Sequence, residues 1–596
     1  MATSVSMRWD LDSIFSGGSS SKELQTFVEQ LENEIKALNV NIEEERFPAD
    51  GKELDAWVKN YLQLQHITAQ LAEARAFVNA LLSDDITDTD AKTWQARLKA
   101  VSTEIGAIAS ELDAVFEKLP DDLWQALLKD ERLQGLTFPL EERRQRAIER
   151  MEPDKEQLAE SLAQDGYHGW SDMYNALVSQ IQIPVTEGGQ TEYLSVGQAQ
   201  NKAGSHDRSV RIAASEAMDK AWKKHEDLFA ETLNHLSGFR LNWYKKRGWN
   251  DVLKEPLMIN RMQKETLEAM WEAVEDAKST LLPFMDKKAE MMGLEALEWH
   301  DVSAPLAKHD TTVPFEKAAD QIVSQFREVS PKLADFAAKA FENRWIEAEN
   351  RNGKRPGGFC TTFPISDETR IFMTYSGTPS NVQTLAHELG HAYHQHAMKG
   401  LPYAATRYAM NVAETASTFA EQIVADAAVA EAETAEEKIA LLDTKISRGL
   451  AFFMNLHARF IFEKRFYEKR KEGWANASTL NEWMVEAQKE AYCNKLASYN
   501  PRFWASKLHF HMTPVPFYNF PYTFGYLFSM AVYERAKQEG TAFEERYIAL
   551  LRDTASMTVE DLAEKHLGED ITQKAFWQRA TEPLLQDVEK FMELSK

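Results

Sequence analysis

Apolar residues along much of the chain recur with helical spacing. In residues 22–39 the apolar positions follow one another at steps of three and four, which aligns them on one face of a helix. These positions are Leu24, Phe27, Val28, Leu31, Ile35 and Leu38. The same periodicity, with little proline or glycine, extends over residues 53–82, 90–118, 262–290 and 314–343. We therefore predict long amphipathic helices over these ranges and a mostly α fold.

A segment near residue 190 departs from this periodicity. Residues 179–196 alternate β-branched and polar positions around Gly188-Gly189, a pattern typical of a hairpin or a long exposed turn. It is the best candidate for a domain boundary. We predict an N-terminal helical domain over residues 1–195 and a larger second domain over residues 196–596.

A second departure lies between residues 350 and 380. This segment begins rich in glycine and proline and contains strand-like stretches at 358–363 and 370–375, joined by a turn at Asp367-Glu368. We predict a small sheet here, next to the helix that follows. The stretch at 371–375 is expected to pair with an extended bound chain through main-chain hydrogen bonds.

Composition narrows the class of protein. The 596 residues are 44% hydrophobic and 27% charged, which excludes wholesale disorder. With 68 Lys and Arg against 93 Asp and Glu, the net charge is −25, so nucleic acid is not an expected partner. By itself, this acidity would favour cationic partners.

The chain has none of the usual signs of export or membrane insertion. Its start lacks a basic stretch followed by an apolar one, and no window approaches 18 unbroken apolar residues. Its two cysteines, Cys360 and Cys493, exclude a disulfide framework. We predict a cytoplasmic protein without a membrane partner; the sequence does not indicate an oligomeric state.

The segment at 387–391 carries the clearest chemical signal. It reads His-Glu-Leu-Gly-His, and histidines four residues apart lie on one face of a helix. His387 and His391 can therefore supply two nitrogen ligands to one zinc ion. Glu388 would lie at the edge of that face, where it can act as general base on a zinc-bound water. Gly390 lowers helix propensity, which suggests close approach of another backbone.

A catalytic zinc site needs a third protein ligand. The extended motif with a third histidine is absent, because Ala397 stands at that position. The next apolar-periodic run begins near Asn411, and Glu414, near the start of that run, is the candidate ligand. Glu421, two turns further on the same face, is either a partner of a ligating imidazole or an ordinary surface carboxylate. His394 is interpreted as a packing or orienting residue.

A second candidate group lies at residues 508–528, which are rich in His and Tyr and interrupted by Gly and Pro. The sequence predicts no regular helix here before Phe524. Such side chains could donate hydrogen bonds to a developing oxyanion, or they could form an aromatic loop packed on the core. The residues alone leave both possibilities open.

Four motifs point to a family. They are Gly377-Thr378, Asn381-Val382-Gln383-Thr384-Leu385-Ala386 leading into HELGHAYHQ, Ala413-Glu414-Thr415-Ala416-Ser417, and the opening Trp9-Asp10-Leu11-Asp12-Ser13-Ile14-Phe15. Together they resemble the oligoendopeptidase F family of thimet-oligopeptidase-like zinc metallopeptidases. The resemblance spans nearly the whole chain. It implies a large helical fold with a deep cleft between two helical halves and a small sheet beside the active-site helix.

The resemblance also implies roles for individual residues. It makes Glu414 the third ligand of one zinc ion per chain. It assigns substrate binding and stabilisation of the tetrahedral intermediate to a histidine and to Tyr518 and Tyr522. Relatives often read His-Phe-Tyr where this chain has His-Phe-His, so the histidine is either His509 or His511. The implied function is hydrolysis of internal bonds in short peptides, with Glu388 activating the zinc-bound water.

Two other functions compete with this one. A dipeptidyl carboxypeptidase-type exopeptidase on the same zinc site would need a basic residue for the terminal carboxylate, and Arg407 or Arg502 could supply it. A non-catalytic helical binding protein would bind no metal and have no activity.

Overall fold

The chain folds into a mostly helical structure with two small sheets. The computed structural model describes residues 5–44, 54–187, 189–306 and 312–596. The helices of the first third are α1 (Lys22–Glu44), α2 (Leu54–Asp84), α3 (Thr89–Lys118), α4 (Asp121–Leu128), α5 (Thr137–Ile148), α6 (Pro153–Ala163) and α7 (Gly169–Gln180). Strands β1 (Ile183–Glu187) and β2 (Gln190–Leu194) follow as an antiparallel hairpin, which confirms one of the two predicted forms. Gly188, in the predicted turn, lies outside the described residues.

Within the described residues, the middle of the chain contains six helices before the second sheet and one helix after it. Its elements are α8 (Val196–Ala203), α9 (Arg208–Arg247), α10 (Lys254–Ile259), α11 (Lys264–Met291), α12 (Phe315–Val329), α13 (Pro331–Glu342), β3 (Ile346–Glu347), β4 (Phe359–Phe363), β5 (Glu368–Phe372) and α14 (Pro379–Ala397).

The remainder is helical throughout its regular elements. These are α15 (Met410–Ala413), α16 (Thr415–Glu431), α17 (Ala435–Leu450), α18 (Leu456–Arg470), α19 (Ala477–Ala491), α20 (Phe503–Ser506), α21 (Phe520–Glu539), α22 (Glu544–Asp553), α23 (Val559–Leu567) and α24 (Lys574–Leu594). Among the described residues, no helix has both the length and the apolar character that a bilayer crossing requires.

The strand predicted at 370–375 is β5 (Glu368–Phe372), so Glu368 belongs to the strand and not to the turn. Two helix boundaries also differ from those the sequence predicted. The run at 314–343 divides into α12 and α13, because Ser330 is extended ahead of Pro331 and its hydroxyl accepts a hydrogen bond from the Leu333 amide. Helix α21 begins at Phe520 rather than Phe524. Asn519 caps it and Pro521 lies in its first turn, where a missing amide hydrogen carries no cost.

The second sheet has the order β3–β5–β4. Strand β4 is antiparallel to β5, with Cys360 opposite Ile371, and β3 is parallel to β5. The prediction that the stretch at 371–375 pairs with a bound chain is wrong, because β5 is the central strand and the Met373 and Tyr375 amides donate to carbonyls of residues 347 and 348. The edge strands of this sheet are β3 and β4. Next to β3, the Ala348 and Glu349 amides donate to the Met7 carbonyl, whereas the outer edge of β4 makes no main-chain hydrogen bond to the described residues.

The apolar core has two principal parts. One contains residues from 15 to 140, together with Phe363 of β4, and the other contains residues from 163 to 591. Glu73 of α2 joins the two regions, since its carboxylate accepts hydrogen bonds from the Ile365 and Ser366 amides in the β4–β5 turn. The division at residue 195 stays a prediction.

Candidate metal centre and the cavity around it

Helix α14 presents the His-Glu-Leu-Gly-His segment from a well-capped start. The Thr378 hydroxyl accepts a hydrogen bond from the Asn381 amide, the Asn381 side chain bonds back to the Thr378 backbone, and Pro379 occupies the first turn. This cap fixes where α14 begins. The two histidines then follow one turn apart, with their rings nearly perpendicular and their centroids 4.8 Å apart.

Three side chains converge on one point with separations that suit a metal ion. Oε2 of Glu414 lies 3.3 Å from Nε2 of His387 and 3.5 Å from Nε2 of His391. All three donor atoms lie within 4.8 Å of one another. Donors at zinc-ligand distances in a tetrahedron are roughly 3.4 Å apart, so these residues fit zinc. Glu414 is the residue at which α15 ends and α16 begins.

Further contacts hold two of the three donor residues, His387 and Glu414, in place. Nδ1 of His387 lies 3.1 Å from Oε2 of Glu421, which in turn forms an ion pair with Arg448 through its other oxygen. The Ser417 hydroxyl donates to Oε2 of Glu414 at 2.7 Å. A carboxylate on Nδ1 leaves Nε2 of His387 free to bind a metal.

Helices α14 and α16 approach closely at a glycine. A Cβ atom on Gly390 would lie 2.4 Å from the Ala416 carbonyl oxygen and 2.6 Å from the Ser417 Cα, distances that real Cβ atoms do not show. This confirms the prediction that Gly390 permits the approach of another backbone. Gly525 of α21 plays a similar part, since a Cβ there would lie 3.1 Å from the Cβ of Glu414.

Glu388 is buried beside the convergence point, and its environment suits a proton acceptor. Burial raises its pKa to about 7, and the charge of Glu414 adds to this. Its Oε2 has no hydrogen-bond partner among the described residues, and the side chain lines a large cavity. Burial also lowers the pKa values of His387 and His391, which keeps both imidazoles neutral and able to bind a metal at neutral pH.

This cavity measures about 1410 Å³ and contains the metal-site side chains in its wall. Helices α2 and α3 form the part of the wall contributed by the N-terminal region, and β4 contributes Phe359, Cys360, Thr361 and Thr362. The free edge of β4 therefore borders the space next to Glu388. Burial raises the pKa of the Cys360 thiol, and the charge of Glu388 adds to this, so Cys360 stays protonated. The deep cleft between two helical halves stays a prediction.

The predicted oxyanion residues separate into two groups. Tyr518 lines the cavity, and the His509 ring stacks on it with centroids 5.1 Å apart. Tyr522 contacts both rings from the edge. Burial and the neighbouring Arg459 lower the pKa of His509 to about 4. Nη1 of Arg459 lies 3.5 Å from Nδ1 of this neutral ring, an arrangement that leaves the hydrogen on Nε2.

His511 lies elsewhere. Its side chain is fully buried, its ring stacks on Tyr174 at 4.0 Å, and its Nδ1 lies 3.3 Å from the Thr232 hydroxyl. His394 is likewise buried, with its ring stacked on Tyr408 and its Nε2 bonded to the Thr554 hydroxyl. Neither ring lines the cavity, and His394 packs as the sequence analysis predicted.

The two candidate arginines for an exopeptidase differ in the same way. Arg502 is engaged by Glu226 at 2.7 Å and Asp219 at 2.8 Å, whereas Arg407 lines the cavity. A second group of possible metal donors, around Asp301, has cationic partners already, because Arg208 and Arg211 both lie 2.9 Å from that carboxylate.

Sequence reasoning missed the residues that α2 and α3 contribute to the cavity. Among them are Arg75 and Asn79 of α2 and Lys92, Gln95 and Lys99 of α3. No motif marks them. The apolar periodicity of α2 and α3 indicates that each helix has a polar side. It does not indicate that these sides border a cavity.

Comparison with known proteins places the geometry in context. The profile of Peptidase family M3 matches residues 203–582, more than half of the chain and the part that holds the metal site, and the profile of Oligopeptidase F matches residues 116–182. An oligoendopeptidase F homolog of Lactococcus lactis is 23% identical over 570 residues, covering 92% of this chain and 91% of its own.

Solved structures show the same fold. The crystal structure of a Chlamydophila abortus protein superposes with a TM-score of 0.81 at 19% identity, covering 99% of this chain and 98% of its own. Oligoendopeptidase-F of Enterococcus faecium gives a TM-score of 0.69 at 17% identity, covering 96% of this chain and 99% of its own.

Proposed function

Because this chain belongs to peptidase family M3 and is therefore a peptide-hydrolysing metalloendopeptidase, we propose that it uses one zinc ion and the Glu388 carboxylate to cleave internal bonds of short peptides. The main support for the proposal is the spacing of three possible metal-donor atoms. Oε2 of Glu414 lies at tetrahedral ligand spacing, 3.3 and 3.5 Å, from the outer nitrogens of the two histidines. His387, His391 and Glu414 would hold the ion, which when bound polarises the scissile carbonyl and lowers the pKa of water.

Glu388 is the proposed general base. Its side chain lines the cavity, its buried Oε2 has no hydrogen-bond partner among the described residues, and a carboxyl with a pKa near 7 can both accept and return a proton at neutral pH. Glu388 takes the proton from the attacking water and delivers it to the leaving amine. A separate group must then stabilise the charge that develops on the carbonyl oxygen.

Tyr518 is the proposed donor to that oxygen, because its side chain lines the cavity. His509 and Tyr522 do not line the cavity themselves; they pack against Tyr518 and fix its position. We assign this role to His509 and not to His511, whose ring is enclosed by Tyr174 and Thr232. The free edge of β4 would bind the extended substrate backbone.

An internally quenched peptide with both ends blocked tests the proposal. We expect cleavage by the zinc-loaded protein, loss of cleavage after chelation, and recovery when zinc is returned. Glu388→Gln should keep its zinc but lose about 10²–10⁴-fold or more in kcat. Undiminished turnover by this variant, or by the chelated protein, would refute the mechanism. Cleavage of free-ended peptides alone would favour the exopeptidase.

A further inference from the structure

The charge on the cavity wall is opposite to the charge of the whole molecule. Four basic residues line the cavity: Arg75, Lys92, Lys99 and Arg407. We call them the basic wall. The acidic residues lining the same cavity are Glu388 and Glu414, both of which belong to the proposed zinc site. The chain as a whole has a net charge of −25.

Two helices build most of the basic wall with one face each. The α2 face contains Ala72, Arg75, Ala76 and Asn79, and the α3 face contains Lys92, Gln95, Ala96 and Lys99. Each set follows helical spacing of three and four, so its members share one side of their helix. Neither face carries a carboxylate, although α3 has several acidic residues on its other sides.

Within the described parts of the chain, no carboxylate oxygen lies at ion-pair distance from a basic-wall residue, and the charge of Lys92 contributes only weakly to the lowered pKa of the exposed Asp85. No ion pair involves any of the four basic residues there, and Arg75 donates only to the Ser102 hydroxyl, at 3.5 Å. By contrast, Arg97 of α3, on another face, forms a two-pronged pair with Glu32. In a chain with 93 acidic residues, basic side chains that stay unpaired around a cavity leave their charge available to a ligand.

We propose that the basic wall selects peptides that carry carboxylates close to the scissile bond. This inference rests on the proposed peptidase function and adds a substrate class to it. Bound zinc would offset the charges of Glu388 and Glu414, so the cavity would be positive while the outer surface is negative. The carboxylate could belong to an Asp or Glu side chain or to the peptide C-terminus, since both present the same group.

Long-range attraction of this kind depends on salt. All four basic side chains are exposed, so each contributes modestly and is screened by ions. Acting together, they should raise kcat/KM for an acidic peptide about tenfold over a neutral one at low ionic strength. The preference should shrink strongly at about 0.5 M salt.

Three quenched peptides of one length and one central sequence separate the possible sources. The first has Asp residues flanking the scissile bond and an amidated end, the second has Asn in their place, and the third has Asn and a free C-terminal carboxylate. The zinc-loaded wild type should cleave the first faster than the second if side chains are recognised. It should cleave the third faster than the second if the terminus is recognised.

The matched variants change four charges inside or outside the cavity. One carries R75Q, K92Q, K99Q and R407Q. The control carries K220Q, K223Q, K224Q and K246Q on α9, which are exposed and do not line the cavity. We expect the ratio of kcat/KM for the acidic peptide to that for the neutral peptide to fall to about one in the cavity variant, and the control to keep the wild-type ratio.

Equal rates for all three peptides, or an unchanged preference in the cavity variant, would overturn the inference. Failure of the peptidase function is distinguishable from this. If no peptide is cleaved, binding of all three peptides to Glu388→Gln, measured by fluorescence anisotropy with and without the four cavity substitutions, tests the charge preference alone. A preference that these substitutions abolish supports the basic wall, and equal binding contradicts it.

Discussion

Glu388 combines two properties that rarely occur together in a carboxyl group. It is buried, which raises its pKa to about 7, yet its Oε2 has no hydrogen-bond partner among the described residues. An unpartnered buried oxygen is costly, because the group has lost its water without gaining a donor. Such an arrangement is expected where a substrate or an attacking water completes the site.

The pKa of Glu388 sets the pH dependence of the reaction. The base works as a carboxylate, so kcat/KM should fall as the pH drops through its pKa. Burial raises that pKa to about 7, and a bound dication acts in the opposite direction. We expect the acidic limb of the profile at or below about pH 7. A kcat/KM that increases as the pH falls from about 7 to about 5 would exclude Glu388 as the base.

Glu421 allows a test of whether the hydrogen-bond partner of a zinc ligand contributes to zinc affinity. Glu421→Gln keeps the side-chain size but weakens the bond to Nδ1 of His387 and the ion pair with Arg448. We expect zinc affinity to fall about 10–100-fold, measured by competition with a chelator. Glu431→Gln, on the same helix but exposed, is the control and should bind zinc as wild type does.

At the residue scale, spacing along one helix predicts which side chains lie close together. His387 and His391 were found because their geometry is fixed within one helical turn. Glu421 could be named as a partner candidate because it lies two turns beyond Glu414. The choice between His509 and His511 was beyond the sequence, since it depends on Tyr174 and Thr232, which are distant along the chain.

Among the helices, the contact between α14 and α16 matters most for the candidate metal site, because α14 carries His387 and His391 and Glu414 directly precedes α16. Gly390→Ala would push its Cβ into the Ala416 carbonyl and separate the two helices. We expect a loss of about 1–3 kcal/mol of stability together with weaker zinc binding. Gly106→Ala in α3, where nothing lies within 4 Å, should be neutral or slightly stabilising. Thermal unfolding and metal analysis compare the two variants.

Helices α11 and α17 are joined by a buried ion pair. Nζ of Lys288 lies 2.7 Å from Oδ1 of Asp443, and both side chains are almost completely buried. Lys288→Met leaves a buried charge without a partner and should cost about 3–5 kcal/mol, seen as a lower thermal midpoint. The double variant with Asp443→Leu should recover most of that loss.

The neighbouring residue provides the control for this pair. Lys287 is paired with the exposed Glu290 at 3.1 Å, so Lys287→Met should cost no more than about 1 kcal/mol. Equal losses from Lys288→Met and Lys287→Met would mean that burial does not determine the strength of the α11–α17 contact.

Helix existence was predictable from periodicity, but the ends of helices depended on single residues. The break between α12 and α13 follows from Pro331, which disfavours helical backbone at Ser330. The start of α21 follows from the Asn519 cap. The order of the second sheet could not be predicted, because β3 pairs in parallel with β5 from a position more than twenty residues earlier.

In the whole molecule, the N-terminal region both anchors the chain and shapes the cavity. The Trp9 ring packs on Phe372, and the side chain of Arg370 donates to the Asp10 carbonyl at 2.9 Å. These contacts give a structural reason for the opening motif. They fasten the start of the chain to the central strand next to the metal-binding helix.

The residues that line the cavity could not be predicted from the sequence, because residues near 75–99 meet residues near 387–414 only through tertiary packing. The net charge of the chain did not indicate a basic cavity wall, because a total of −25 does not show where individual charges lie. The local arrangement of charge, and not its sum, determines what the cavity attracts.

Zinc content tests the central claim most directly. Purified wild-type protein and Glu414→Ala, prepared in parallel and dialysed against zinc-free buffer, should be compared by elemental analysis. The account predicts close to one zinc ion per chain in the wild type and a much lower ratio in the variant. A variant that retains as much zinc as wild type, or a wild type that binds none, would contradict it.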